Sequence, residues 1–176
     1  MRIIAGALGG RIFAAPDNRA THPMSQKARG GLFNALGDIA GLTFLDAFGG
    51  SGALAFEAIS RGAASAQIIE NDRAAANVIA ASIAKLQLQA QIKLAKTSAA
   101  TWLKTHPNDF FDIILCDPPY DKPGYNLLAT IAARAKPAGL IILSLPPKTM
   151  FHLPTSSFQL LPSKTYGDAE LSFYRR

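Results

Sequence analysis

Two patterns of hydrophobic and polar positions alternate along the chain between residues 42 and 145. Short apolar runs predict strands at 42–48, 66–70, 91–95, 111–116 and 139–145. Longer segments with helical spacing of the apolar residues predict helices at 52–62, 72–88, 98–105 and 125–135. The strand segments are apolar at nearly every position, which is typical of strands covered on both faces. The alternation therefore predicts an α/β fold with a doubly wound, mostly parallel sheet.

The pattern changes after Leu145. A loop-like stretch is followed by two apolar runs on either side of Gly167, and no crossover helix fits between them. Neighbouring strands joined in this way must be antiparallel. We therefore expect an antiparallel strand at the C-terminal edge of the sheet.

The first 40 residues have a third pattern. The glycine-rich start "RIIAGALGGRIF" predicts a hairpin, a loop follows through Pro16 and Pro23, and a helix is expected from about Ser25 to Leu36. This part has five basic residues against two acidic ones. We therefore expect a basic N-terminal extension at 1–40 and one main domain at 41–176.

Composition narrows the classes of function. The chain is 49% hydrophobic and 17% charged, which argues against disorder. No apolar run reaches the roughly 18 residues that span a bilayer, and we find no signal peptide. The single cysteine, Cys116, allows no internal disulfide and fits a reducing cytoplasm. The three histidines lack metal-ligand spacing, so we expect no metal.

The net charge of +6 leaves two interpretations open. A modest excess of basic residues keeps many proteins soluble. The same excess, concentrated near the N-terminus, also suits contact with a polyanion such as nucleic acid. Composition alone does not decide between them.

A glycine-rich loop, "DAFGGSGALA" at 46–55, follows the first predicted strand of the sheet. Ligands of open parallel sheets bind at the carboxyl ends of the strands. Asp46 stands at such an end, and glycines there let the backbone approach a ligand closely. The spacing Gly50-x-Gly52-x-x-Ala55 is a weak signal by itself and would also suit a dinucleotide.

An acidic residue ends the next predicted strand. Glu70 follows Gly52 at the distance at which an acid can accept hydrogen bonds from both ribose hydroxyls of an adenosine-type ligand. Asp72 is expected to cap the helix that begins after it.

The fourth predicted strand ends in "DPPY" at 117–120. Because the two prolines lack N–H groups, this segment cannot continue the sheet. The resulting turn is expected to present the Asp117 carboxylate and the Pro118 carbonyl as acceptors beside the flat ring of Tyr120. Two acceptors and a ring match a planar amine, such as the exocyclic NH2 of a nucleobase.

In this order, these three stretches resemble the Rossmann-like class I S-adenosylmethionine-dependent methyltransferases. The whole chain is similar to the 16S ribosomal RNA guanine-N2 methyltransferases of the RsmD type. Four stretches carry this similarity. The stretch "MRIIAGALGGRIF" resembles that family's "MRIIGG…RGRKL", and "HPMSQKARGGLFNAL" resembles its "RPTTDRVRETLFN…L". The stretch "FLDAFGGSGALAFEAISRGA" resembles its "LDLFAGSGALGLEALSRGA", and "YGDAELSFYRR" resembles its final strand.

The resemblance implies methylation of a guanine 2-amino group in 16S ribosomal RNA, with S-adenosyl-L-methionine as cofactor. The implied substrate is the small ribosomal subunit or an assembly intermediate, and the implied enzyme is a cytoplasmic monomer. The implied catalytic residues are Asp117, Pro118, Pro119 and Tyr120. The implied cofactor residues are Asp46, Phe48, Gly49, Gly50, Gly52, Glu70, Asn71, Ser98, Ala99 and Asp117. The implied RNA contacts are Arg11, His22, Lys27 and Arg29.

The chain departs from the family pattern at several positions. His22-Pro23-Met24 stands where the family has Arg-Pro-Thr, and Gln26 and Gly30 replace two acidic residues. Ser98 aligns with a polar residue, usually Asp or Asn, that is expected to contact the adenine of the cofactor. A hydroxyl makes a weaker hydrogen bond than a carboxylate.

Three other functions stay open. The "DPPY" chemistry would also suit the 6-amino group of adenine in DNA or RNA, or a glutamine amide in a protein. The glycine pattern would suit a nicotinamide-dependent dehydrogenase, although that function leaves "DPPY" unexplained. The third is a non-catalytic RNA-binding assembly module that keeps the fold.

Overall fold

The computed structural model describes residues 1–16, 24–167 and 169–176. No helix in these ranges is long and apolar enough to cross a membrane. The helices are α1 (Gln26–Leu36), α2 (Ala53–Ser60), α3 (Arg73–Leu86), α4 (Ala99–Thr105) and α5 (Tyr125–Ala132). The strands are β1 (Thr43–Asp46), β2 (Ser65–Ile69), β3 (Ile92–Ala95), β4 (Phe111–Cys116), β5 (Ala135–Leu145), β6 (Gln159–Leu160), β7 (Lys164–Tyr166) and β8 (Ala169–Arg175).

The strands form one sheet in the order β3-β2-β1-β4-β5-β8-β6, with β7 also paired to β8. Strands β1 to β5 are parallel, whereas β8 runs antiparallel to β5, β6 and β7. This arrangement confirms the doubly wound sheet and its antiparallel C-terminal edge. The strand order reverses between β1 and β4, so their carboxyl ends flank the switch point at which such folds bind ligands.

Strand β5 differs from its predicted extent. It begins at Ala135 instead of Gly139, because its first residues pair with Phe111 across a register shift before Ile113. Pro137 lies in this early part of the strand, where a regular ladder is not expected because proline has no N–H group to donate a hydrogen bond. The irregular pairing accommodates it.

The N-terminal segment forms the predicted hairpin as a short antiparallel pairing. Arg2 bridges Ile12, the Ile3 N–H donates to the Arg11 carbonyl at 3.0 Å, and the Phe13 N–H donates to the Met1 carbonyl at 3.1 Å. Its turn is held by helix α2, where the Ser60 hydroxyl oxygen accepts a hydrogen bond from the Leu8 N–H at 2.9 Å. A Cβ atom on Gly6 would lie 1.8 Å from the Ser60 carbonyl oxygen, so this close approach requires glycine.

A buried glutamate fixes the same segment to α2. Glu57 is completely buried and accepts hydrogen bonds from the N–H groups of Ile4 at 2.8 Å and Ala5 at 3.1 Å. The Arg61 Nε also donates to it, at 2.8 Å. The buried carboxylate thus obtains its hydrogen bonds from the main chain of the N-terminal segment and attaches that segment to α2.

Arg29 on α1 lies in the same buried layer. Its side chain is 1% exposed, its Nη2 donates to the Arg2 carbonyl at 2.7 Å, and its Nε lies 3.8 Å from Glu57 Oε2. Burial lowers the pKa of Arg29, and the attraction of Glu57 only partly opposes this shift. Arg29 and Glu57 therefore form a buried ion pair at the junction of α1, α2 and the N-terminal segment.

The two faces of the sheet carry separate apolar clusters. One cluster joins Ile3, Phe13 and Leu32 to residues of α2, α3 and the sheet. The other packs Trp102 and Ile131, from α4 and α5, against the opposite face. The first 40 residues thus share a core with the rest of the chain, and the proposed division at residue 40 stays a prediction.

Candidate active site

Three acidic residues lie at the carboxyl edge of the sheet. Asp46 ends β1 and pairs in register with Ile68 of β2 and Leu115 of β4. Glu70 and Asp117 each follow just beyond those paired positions, so the three carboxylates come from adjacent strands at the same edge. The sequence pattern predicts a ligand site at this edge.

The loop after Asp46 has a backbone that only glycine adopts readily. Gly50 and Gly52 have φ angles of +54° and +75°. A Cβ on Gly50 would have no neighbour closer than the Phe48 carbonyl oxygen at 3.9 Å, so this side of the loop is open to a ligand. By contrast, a Cβ on Gly49 would lie 2.5 Å from the Ile68 side chain, which shows that Gly49 packs against β2.

Glu70 connects the glycine loop to the following strand. One of its carboxylate oxygens accepts a hydrogen bond from the Gly50 N–H, and the other accepts one from the Asp72 N–H, both at 2.6 Å. Each oxygen keeps a further lone pair, so a ribose hydroxyl can still donate to it. Asp72 caps α3 by accepting from the Ala75 N–H at 2.7 Å, as predicted, and Asn71 between the two acids is exposed.

Asp46 is a fully buried carboxylate whose oxygens have no hydrogen bond of ordinary geometry within the described residues. Burial raises its pKa to about 7, and the negative charges of Asp117 and Glu70 add to the effect. The nearby N–H groups of Phe48 and Ala55 act weakly in the opposite direction. A buried carboxylate without a partner is costly. The site therefore favours a positively charged ligand group beside Asp46.

Replacing Asp46 by asparagine is expected to stabilise the ligand-free protein increasingly as the pH rises from about 4 to about 7. The unfolded carboxyl ionises near its ordinary pKa of 3.8, whereas the folded one stays neutral until about 7. Over that range the unfolded state loses its proton first, so the wild-type residue disfavours folding progressively. Urea denaturation of both proteins from pH 4 to 8 measures the difference, and a constant difference would contradict the raised pKa.

The "DPPY" turn follows β4 as predicted. Asp117 is half-buried, Pro118 is buried, and Tyr120 is 39% exposed. The Lys122 N–H donates to the Pro119 carbonyl at 3.1 Å and closes the turn. The turn therefore holds the carboxylate and the ring on one rigid segment beside the other two acids.

Sequence reasoning missed Ser144 near the end of β5. Its hydroxyl lies 3.3 Å from the Tyr120 hydroxyl, and the residue is 1% exposed. This contact connects the "DPPY" turn to the neighbouring strand and orients the tyrosine ring. The available signal was a polar residue within the apolar run "LIILSL", close to the ligand edge.

Cys116, directly before Asp117, is a core residue. It is fully buried, and burial together with Asp46 and Asp117 raises the pKa of its thiol. A thiol held neutral in this way is a poor nucleophile. Cys116 is therefore not expected to act as a nucleophile.

Ser98 lies at the same edge, between β3 and α4, where it caps the helix. Its Oγ accepts from the Thr101 N–H at 3.1 Å and lies 2.9 Å from the Thr101 hydroxyl. Ala99 follows as a buried residue of the first turn. Ser98 thus has a structural role in the cap, and the contacts of Ser98 and Ala99 with a ligand stay predictions.

The predicted RNA contacts are not all on the surface. Arg11 and Lys27 are exposed, whereas Arg29 is buried against Glu57. The prediction that Arg29 contacts a phosphate was therefore wrong, because its guanidinium is buried and forms an ion pair with Glu57. His22 lies outside the described residues.

Comparison with known proteins identifies related sequences. The family described as conserved hypothetical protein 95 matches residues 1–175. A protein named ribosomal RNA small subunit methyltransferase D, from Escherichia coli strain K12, is 37% identical over 123 residues. That alignment covers 68% of this chain and 60% of the relative, so it spans less than two thirds of the relative's length.

Solved structures share the fold. A protein described as "putative methyltransferase yhhF from Escherichia coli" has a TM-score of 0.88 and 28% identity, with 100% of this chain and 97% of that chain covered. A second, described as a "putative methyltransferase complexed with SAH", has a TM-score of 0.64 and 19% identity, with 85% and 48% covered. The fold is that of class I methyltransferases.

Proposed function

We propose that this chain, which belongs to the conserved hypothetical protein 95 family, that is, the RsmD family, transfers a methyl group from S-adenosylmethionine to the 2-amino group of a guanine in 16S ribosomal RNA. The observation that carries the proposal is the position of the "DPPY" turn next to the unpartnered Asp46 and the open glycine loop. The name of the Escherichia coli relative supports the substrate class.

The residues at the edge of the sheet fit the proposed cofactor. Asp46 would offset its cationic methionine part, and Glu70 would accept hydrogen bonds from the ribose hydroxyls. Gly50 leaves room for close approach, since a side chain there would extend into the open space above the loop. When bound, the cofactor supplies a methyl group already activated on a sulfonium.

Asp117 and Pro118 would act on the acceptor. The lone pair of the guanine 2-amino nitrogen is delocalised into the ring, which makes the nitrogen a weak nucleophile. The Asp117 carboxylate and the Pro118 carbonyl, by accepting the two amine hydrogens, would localise that lone pair and orient it. Asp117 would also take up the proton that the nitrogen loses, because an amide carbonyl cannot. Positioning and electrostatics would therefore provide the catalysis.

Tyr120 would provide the face on which the guanine stacks, and Ser144 would keep that face in position. The base must leave its stack first, which costs a few kcal/mol. Phosphate contacts of the exposed Arg11 and Lys27 would offset part of that cost. We place this activity in the bacterial cytoplasm and assign it to a monomer.

Replacing Glu70 by alanine is expected to weaken binding of S-adenosylmethionine by tenfold or more, about 1.4 kcal/mol or above. The change removes the ribose acceptor and also frees the Gly50 N–H that shapes the loop. Calorimetric titration of the folded variant measures the loss. Asp72→Ala is the matched control, because it removes a neighbouring acid that only caps α3. Equal losses in the two variants would contradict the role of Glu70.

Small ribosomal subunits from cells that lack this protein provide the test. We expect incubation with the purified protein and labelled S-adenosylmethionine, followed by digestion to nucleosides, to give labelled N2-methylguanosine. Labelled 6-methyladenosine would overturn the guanine assignment and keep the chemistry of the turn. Cofactor binding without label would overturn this substrate. Absence of both would favour a non-catalytic assembly module, and binding of a nicotinamide dinucleotide instead would favour a dehydrogenase.

A further inference from the structure

Two loops beside the candidate active site are joined by a pair of stacked rings. The loop after β4 leads into α5, whose first residue is Tyr125, and the loop after β5 contains Phe151. The two rings have centroids 4.6 Å apart and planes inclined by 15°. Because β4 and β5 are parallel neighbours, both loops leave the sheet at the edge that carries Asp117. The stacked pair therefore lies at the same edge of the sheet as the "DPPY" turn.

Large apolar side chains on these two loops are exposed to solvent. Tyr125 is 42% exposed, and Met150 next to Phe151 is 95% exposed, the highest value among the large apolar side chains that the structure describes. Isolated exposed apolar residues are ordinary on protein surfaces. Here Tyr125, Met150 and Tyr120, which is itself 39% exposed, all lie on the two loops that leave the ligand edge of the sheet.

The loop that carries Met150 is held in place at both ends. Thr149 donates hydrogen bonds from its N–H and its hydroxyl to the Pro146 carbonyl, at 3.2 and 2.6 Å. Leu153 and Phe158 are buried in the apolar cluster below. Met150 is therefore presented to solvent by an anchored turn.

Lys148 in that turn has a strained backbone. Its φ angle is +68°, at a turn position that glycine ordinarily occupies, and its side chain is exposed. Such strain persists when the surroundings enforce it, and it concentrates at functional sites. The turn places a cation directly beside the apolar surface.

We propose that Tyr125, Lys148, Met150 and Phe151 form a platform for the nucleotides that flank the methylated base. This inference rests on the function proposed above. A base that leaves its stack exposes the faces of its neighbours, and aromatic or apolar side chains replace those lost contacts. Met150 covers an exposed neighbouring base, Tyr125 supports a second one, and Lys148 contacts the phosphate between them. The combination of flat apolar faces with a lysine matches an unstacked RNA strand.

Two variants test the platform by steady-state methylation of small subunits. Met150→Ser removes the apolar cover, and Lys148→Gly removes the charge while relieving the backbone strain. We expect each to raise the half-saturating concentration of RNA substrate about fivefold or more, with kcat and cofactor affinity unchanged. Lys148→Gly should also reduce the slope of log affinity against log salt by about 0.7, the value for one phosphate contact to a single strand.

The chain offers a matched control for each variant. Leu160→Ser removes another exposed apolar side chain, on edge strand β6. Ala138→Gly relieves another positive φ angle, +62°, near the amino end of β5 and far from the ligand edge. Both controls are expected to methylate like the wild type. Variants indistinguishable from their controls would overturn the platform while leaving the proposed function intact.

Cross-linking separates the platform from the reaction itself. A photoreactive amino acid at position 150, or at 160 as control, is irradiated with the protein bound to subunits. Cross-links that form from position 150, and not from position 160, to unpaired RNA nucleotides support the platform, and this measurement does not require transfer of a methyl group. Cross-links to a ribosomal protein, or equal RNA cross-links from both positions, overturn it.

Discussion

Asp117→Ala is expected to lower kcat for methyl transfer by about 10²–10⁴-fold, or to abolish it, while S-adenosylmethionine still binds. The variant loses the acceptor that would orient the guanine amine and take its proton. The cofactor would retain its contacts with Glu70, Asp46 and the glycine loop. The measurements are single-turnover methylation of small subunits and calorimetric titration of the cofactor.

Two further variants define the role of that carboxylate. Asp117→Asn keeps an oxygen acceptor but cannot take the proton, so its rate should fall between those of the wild type and the alanine variant. Asp121→Ala removes an exposed acid from the same loop and should leave the rate unchanged. A fully active Asp117→Ala protein would refute the mechanism.

Glu57→Gln is expected to lower the free energy of unfolding by about 3–5 kcal/mol, a large share of what a domain of this size has. Glu57 accepts two backbone N–H groups and lies in a buried ion pair with Arg29. Loss of its charge leaves the guanidinium of Arg29 buried without an anion. Urea denaturation measures the loss, and limited proteolysis near Arg11 should show that the N-terminal segment has been released.

Two comparisons isolate the buried charge. The double variant Glu57→Gln, Arg29→Met should be more stable than Glu57→Gln alone, because it also removes the uncompensated cation. Lys136→Met breaks the pair with Asp112, in which the lysine side chain is 39% exposed, and should cost less than about 1 kcal/mol. A loss in Glu57→Gln no larger than that in Lys136→Met would contradict the structural role of Glu57.

The ligand edge was predictable because its signals are local. Asp46, Glu70 and Asp117 each follow a short apolar run. A glycine loop follows Asp46, a helix cap follows Glu70, and two prolines follow Asp117, so each strand ends there. Parallel topology then brings the ends of adjacent strands together, so their convergence followed from the order of the elements. The cap at Asp72 was local in the same way.

What the sequence did not reveal depends on contacts between distant residues. Arg29 has the appearance of a surface cation in a basic segment, and only its packing against Glu57 of another helix shows that it is buried. The contact of Tyr120 with Ser144 of β5 and the stacking of Tyr125 on Phe151 also join residues that are far apart in the sequence. The early start of β5 was hidden by Pro137, because the pairing that accommodates a proline belongs to the neighbouring strand.

The way Glu57 holds the N-terminal segment has a consequence for divergence among relatives. Its carboxylate recognises the main-chain N–H groups of Ile4 and Ala5, which every amino acid except proline possesses. The side chains at these two positions can therefore change among relatives without loss of the attachment. Proline is the exception, because it has no N–H group to donate to Glu57. The invariant requirement falls on Gly6, where any Cβ atom would strike the main chain of α2. A segment exchanged from a distant relative should therefore attach if it keeps this glycine in register and apolar residues at the positions of Ile3 and Phe13, which are buried in the core.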